Sequence, residues 1–125
     1  MSWQTFIAVG DTHGDHIDRD FERYSLKWIK DHKPQHRWHL GDLFNLTPLR
    51  KGCDSDERAQ GLKDDINAGL SYLRQFRPHR LTWGNHDHRL NVLAQSNKES
   101  LEVDYARMLK QRIDKEVNQL NIKTV

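Results

Sequence analysis

The stretch that decides the fold is RLTWGNHDHRL, residues 80–90. Arg80 to Trp83 has the length and the β-branched and aromatic content of a short strand. It runs through Gly84 into an amide, two imidazoles and a carboxylate. An apolar run punctuated by glycine and followed by a polar cluster marks a strand that ends in a ligand-bearing segment. Asn85, His86, Asp87 and His88 are all candidate metal ligands or proton carriers, so their meaning depends on what the rest of the chain brings to them.

Two other stretches repeat the pattern. TFIAV (5–9) leads into Gly10-Asp11-Thr12-His13-Gly14, and RWHL (37–40) leads into Gly41-Asp42. Helical patterns lie between. Ile17, Phe21, Tyr24, Trp28 and Ile29 share one helix face that ends before Pro34, and Leu62, Ile66, Leu70, Leu73 and Phe76 share another before Pro78. A third helix carries Leu101, Tyr105, Met108, Leu109, Ile113 and Val117, after which Asn121 ends the helix and Ile122 to Val125 begin a further strand. The aromatic and Met positions of these helices read as core rather than as a cofactor box. Strand, helix, strand, helix, strand, helix predicts an α/β fold of successive β-α-β units with parallel strands and right-handed crossovers. Such sheets bind ligands at the carboxyl ends of their strands, so the three polar clusters are expected to converge on one edge.

Composition bounds the rest. The chain has 125 residues, 35% hydrophobic and 30% charged, with four Trp, which predicts one folded domain over residues 1–125 rather than a disordered tail. The formal charge is +2 with the basic residues scattered along the chain, which excludes a dedicated polybasic arm. The N-terminal apolar run stops at Gly10, too short for a leader or a membrane span, so a cytoplasmic protein without membrane contact is expected. Cys53, the single cysteine, reads as an exposed loop thiol.

Asp11 and His13 are two residues apart in a turn flanked by Gly10 and Gly14, so their side chains can reach a common point. Asp42 arrives from a second strand end, and Asn85 and His86 from a third. Carboxylate, amide and imidazole donors without thiolates suit Mn²⁺, Fe, Zn²⁺ or Mg²⁺ and disfavour a structural zinc site. Each signal is weak alone, since Gly-Asp is a common turn dipeptide. All three in this order after strands would be a rare coincidence. Asp87 has two readings: it orients His86 or a neighbouring backbone group, or it caps a helix formed by HRLNVL.

GDTHG, GDLFN and GNHD, over roughly residues 5 to 90, resemble the first three motifs of the calcineurin-like metallophosphoesterases. The resemblance implies an αββα sandwich and a phosphoester hydrolase that uses a binuclear metal centre and metal-bound hydroxide. By that resemblance Asp11 and His13 bind the first metal, Asp42 bridges both, and Asn85 binds the second. His86 contacts the phosphate and serves as general acid, with Asp87 beside it in the catalytic group. The implied cofactors are two divalent ions, Mn²⁺ the leading candidate, and the implied substrate is a phosphomonoester or phosphodiester, with nucleic acid among the candidates. The unperturbed pKa of histidine, about 6.5, suits the acid role.

The family's remaining ligands are downstream histidines, one isolated and two in a Gly-His-x-His motif, and no histidine follows His88 in this chain. The expectation is therefore the N-terminal half of such an enzyme, inactive alone or completed by a second chain or homo-oligomer. The alternative function is a non-catalytic metal-binding or partner-binding module that keeps the fold. His16 and His88 are the reserve ligands; His32, His36, His39 and His79 read as surface or partly buried residues. Asn45-Leu46-Thr47 stands where the protein phosphatases of this superfamily carry Asp-Arg-Gly, which argues against a phosphoserine substrate. THGDH (12–16) only partly matches the metallo-β-lactamase motif, and no nucleophile elbow or phosphate-cradling Gly-Lys loop is present.

Overall fold

The computed structural model describes residues 2–46 and 55–125. Cys53 lies outside the described residues. Four strands, β1 (Phe6–Val9), β2 (His36–His39), β3 (Arg80–Leu81) and β4 (Lys123–Thr124), form one sheet in the order β1-β2-β3-β4. Every pairing is parallel, as the alternation of strands and helices requires. The helices are α1 (Arg19–His32), α2 (Ser55–Phe76), α3 (Asn85–Ala94) and α4 (Leu101–Gln119). A single 3-10 turn, Gly14–His16, precedes α1.

The helix ends follow from local chemistry. Asp18 caps α1 by accepting from Asp20 N–H at 2.9 Å and Phe21 N–H at 3.0 Å, and Lys33 closes it in the left-handed region (φ 45°) just before Pro34. Ser100 caps α4 through Val103 N–H at 3.2 Å, and left-handed Asn121 (φ 57°) turns the chain into β4. A side-chain cap is worth about 1 kcal/mol.

The α2 stripe is as expected: Leu62, Ile66, Leu70, Leu73 and Phe76 are all buried and form the spine on which the sheet and other helices rest. At about 2 kcal/mol for each buried side chain, this stripe outweighs any single cap or hydrogen bond in the domain. Leu81, Leu90, Ala94, Ala106, Leu109, Ile113, Val117 and Ile122 pack on it from one side, and Val9, Ile17, Ile29 and Tyr72 form a second cluster under β1.

Two expected faces are turned. On α1, Phe21 and Tyr24 are exposed, 40% and 68%, while Ser25 and Ile29 are buried. The buried stripe contains a serine whose hydroxyl is satisfied by Tyr72 OH at 2.9 Å, so apolar spacing alone misplaces it. On α4, Val103 and Ala106 replace Leu101 and Met108, which are exposed, because the inward row runs 103, 106, 109, 113, 117. The GNHD segment also differs from expectation. Asn85, His86 and Asp87 form the first turn of α3, so Asp87 lies inside the helix rather than capping one formed by HRLNVL, and two helices instead of one intervene between β3 and β4.

All four helices lie on one face of the sheet, the face of Val9, His39 and Leu81. Side chains alternate along a strand, so the aligned set Phe6, Ala8, His36, Trp38, Arg80 and Lys123 occupies the other face, and each of the six is exposed. The chain thus builds one α layer and one β layer. No helix among the described residues is long and apolar enough to cross a membrane.

Candidate metal centre

The segments after β1 and β2 run side by side, tied by three backbone bonds: Asp11 N–H to Gly41 O at 3.0 Å, His13 N–H to Asp42 O at 2.9 Å and Gly14 N–H to Leu43 O at 2.8 Å. These bonds keep the two segments together past the strand ends, without the regular ladder of a sheet, and set Asp11 and His13 beside Asp42. One ligand atom from each of the three lies within 4.8 Å of the others.

The backbone there is strained. Asp11 (φ 56°), His13 (φ 55°) and Asp42 (φ 52°) all adopt the left-handed conformation. For a non-glycine residue this costs roughly 1–2 kcal/mol, and strain of this kind gathers at functional sites. Convergence also depends on two glycines. Gly41 has φ 116°, and a Cβ there would stand 2.8 Å from Gly84 N; a Cβ on Gly84 would overlap the Asp42 carboxylate.

The β3–α3 corner joins from the third strand. His86 N–H donates to Asp42 Oδ1 at 2.9 Å, which orients the carboxylate from the helix N-terminus. His86 Nδ1–H donates to the Asn45 carbonyl at 2.7 Å, leaving Nε2 as the nitrogen available for proton transfer. The His86 and His13 rings meet edge to face, 4.7 Å between centroids. His13 Nε2 stands 3.7 Å from Asp11 Oδ1, while its buried Nδ1 has no hydrogen-bond partner among the described residues. An unpartnered buried nitrogen costs about 1–3 kcal/mol, and two carboxylates within reach of the same imidazole form a donor set that fits a divalent cation.

Asn85 opens α3 next to His86 and is exposed. His16 is exposed and 3.9 Å from Asp15, and neither His16 nor His88 belongs to the close group of three. Asp87 is buried and accepts three backbone N–H groups: Phe44 at 2.8 Å, Gly84 at 3.0 Å and Leu43 at 3.2 Å. It therefore ties the Asp42 segment to the start of α3. Burial raises its pKa, the three amides oppose that rise, and Asp42 adds to it.

Two supporting residues escape a reading by motif. Asp65 is fully buried on α2 and accepts from Asn45 N–H at 3.0 Å and from Leu46 N–H, holding the far side of the Asp42 loop. Its sequence signal is a carboxylate between Leu62 and Ile66 on the apolar stripe. His39 is not a surface residue but is fully buried, accepting from Gly41 N–H at Nδ1 (3.2 Å) and donating through Nε2–H to the buried Thr12 at 3.0 Å. Burial lowers its pKa to about 4 against the charge of Asp42, so it is neutral and ties Thr12 to the turn at Gly41.

The calcineurin-like phosphoesterase family model matches residues 4–124, nearly the whole chain. No curated protein and no solved structure matches it. With the strand-end site and the parallel sheet already described, that match establishes that the chain belongs to the calcineurin-like phosphoesterases.

Proposed function

We propose that the protein is a metal-dependent phosphoester hydrolase, and the observation that carries the reading is the convergence of Asp11, His13 and Asp42 within 4.8 Å at the strand ends. Asp11, His13 and Asp42 hold the first divalent ion, and Asp42 with Asn85 the second, Mn²⁺ being the first ion to test. Bound there, the cations would lower the pKa of water and neutralise phosphate oxygens in an in-line displacement. His86 supplies a proton from Nε2 to the leaving oxygen, its ring held by the bond from Nδ1 to the Asn45 carbonyl. Asp87 acts by position, fixing the corner on which His86 stands. The substrate is a phosphomonoester or phosphodiester, nucleic acid included.

A second reading, a non-catalytic metal-binding or partner-binding module on the same fold, is favoured by the ligand count. The close group among the described residues has three members, enough for one cation rather than two. Titration calorimetry with Mn²⁺, paired with hydrolysis of bis-p-nitrophenyl phosphate and p-nitrophenyl phosphate on the same sample, decides between them. Bound metal with turnover supports the hydrolase; bound metal without turnover supports a metal-binding module; no bound metal refutes both metal-dependent readings and favours a partner-binding module.

A further inference from the structure

The backbone N–H groups of Leu43, Phe44, Asn45 and Leu46, in sequence after β2, all donate to two buried carboxylates. Leu43 and Phe44 bond to Asp87 of α3 at 3.2 and 2.8 Å; Asn45 and Leu46 bond to Asp65 of α2, the first at 3.0 Å. Asp87 is accounted for by the corner on which His86 stands. Asp65 is an acid only 1% exposed, set into the apolar stripe of α2. Burying a carboxylate costs stability even when it is well hydrogen-bonded, so an apolar residue would serve the core better.

A single peptide group joins Asp65 to the site. The Asn45 carbonyl and the Leu46 N–H are its two ends. The N–H end donates to Asp65 Oδ2, and the carbonyl end accepts from His86 Nδ1–H at 2.7 Å. Because a carbonyl only accepts, that contact requires the hydrogen on Nδ1. A carboxylate at the N–H end polarises the peptide, puts more negative charge on its oxygen and strengthens the bond at the other end. The peptide plane is also fixed. Leu46 is fully buried in the left-handed conformation, φ 53°. Close packing of α2 holds the segment from below: a Cβ on Gly69 would overlap the Phe44 ring, and one on Gly14 would overlap the Asp65 carboxylate. Each Asp65 oxygen takes one amide, as an ionised carboxylate does; burial raises its pKa and the two amides oppose the rise.

We propose that Asp65 is a positioning residue that acts on His86 through the Asn45–Leu46 peptide, holding the imidazole in its Nδ1–H form with Nε2 left for the leaving oxygen. When Nε2 gives up its proton, Nδ1 keeps its own and the ring is left neutral in that same form. A direct contact would set a further carboxylate beside a site that already holds Asp11 and Asp42 and must admit an anionic ester. The intervening peptide passes on the polarisation while the charge stays in the core. The effect on turnover rests on the hydrolase reading, whereas the hydrogen-bonded chain from Asp65 to His86 needs neither metal nor substrate.

The test reads the His86 ring nitrogens by proton–nitrogen NMR of the full chain in EDTA at pH about 8, where histidine is neutral. Wild type is expected to carry its hydrogen on Nδ1. Asp65→Asn keeps the shape but turns an NH₂ group toward one amide, and the Nδ1–H form should fall to a mixture with the Nε2–H form. With Mn²⁺ and bis-p-nitrophenyl phosphate, kcat should fall roughly tenfold in Asp65→Asn while KM and Mn²⁺ affinity stay within about twofold. Tyr72→Phe, which loosens the same helix by removing the bond to Ser25, should move neither readout. If Asp65→Asn does not melt cooperatively, scalar couplings across hydrogen bonds in the wild type decide. One must link Leu46 N to the Asp65 carboxyl carbon and another His86 Nδ1 to the Asn45 carbonyl carbon; absence of either overturns the proposal. So does a wild-type His86 protonated at Nε2, an unchanged ring spectrum in folded Asp65→Asn, or a loss of Mn²⁺ affinity that matches the loss of turnover. Absence of turnover in the wild type would refute the hydrolase reading, and the link from Asp65 to His86 would then stand or fall on the ring spectrum.

Discussion

Lowering the pH from neutral to about 4 puts the buried imidazole of His39 under direct load. Its Nδ1 already accepts from the Gly41 amide at 3.2 Å, and its Nε2–H donates to Thr12 at 3.0 Å, so a second proton would have to enter at a nitrogen that faces a donor. Burial lowers its pKa from 6.5 to about 4, the charge of Asp42 opposing. In the unfolded chain the same group titrates near about 6.5, so between the two values the unfolded state binds more protons. The native contribution is intact above the unfolded value and is lost as pH falls toward the folded one. A gap of about 2.5 between the two values corresponds to about 3 kcal/mol, a large share of the stability of a small domain. Urea unfolding in EDTA across this range, for wild type and His39→Gln, isolates the effect. Asp65 and Asp87, whose pKa values burial raises, contribute with the opposite sign in both proteins and cancel in the comparison. Wild type should lose about 3 kcal/mol more than the variant between neutral pH and about 4; parallel curves within about 0.5 kcal/mol would refute a neutral, hydrogen-bonded His39.

Four other outcomes follow from the site. Asp42→Ala should lower Mn²⁺ affinity at least roughly tenfold by calorimetry, since its carboxylate stands with both Asp11 and His13. His86→Ala should leave that affinity essentially unchanged while turnover falls roughly 10²-fold or more; equal loss of metal in the two variants would contradict the role given to His86. Asp87→Ala strands the amides of Leu43, Phe44 and Gly84, and a cost of about 1 kcal/mol or more for each predicts a loss of about 3 kcal/mol in urea unfolding. Gly84→Ala places a Cβ on the Asp42 carboxylate and should cost roughly tenfold in Mn²⁺ affinity; an unaffected metal isotherm would show that the corner relaxes freely.

Hydrophobic period and glycine punctuation make much of this molecule readable in one dimension. TFIAV, RWHL and RLTW each contain or overlap a strand, α2 buries the five apolar residues that its spacing selects, and the helices stop before Pro34 and Pro78. Asp11, His13 and Asp42 were readable too, because Gly-Asp and Asp-x-His at strand ends are local signals and parallel topology brings strand ends together. The faces of α1 and α4 were not. Ser25 lies in the core because Tyr72, 47 residues away, satisfies its hydroxyl, and no local pattern encodes that partner. Burial of His39 and Asp65 escapes for the same reason: each is made tolerable by backbone amides from another segment. The charge distribution changes most between sequence and fold. The basic residues look scattered along the chain, yet strand register sets Trp38, Arg80 and Lys123 in one exposed row across three strands, with His36 and Phe6 paired in another row of the same face. Local chemistry is carried by neighbours in sequence and can be read from it, whereas a surface potential sums over neighbours in space, and only the tertiary structure says which those are.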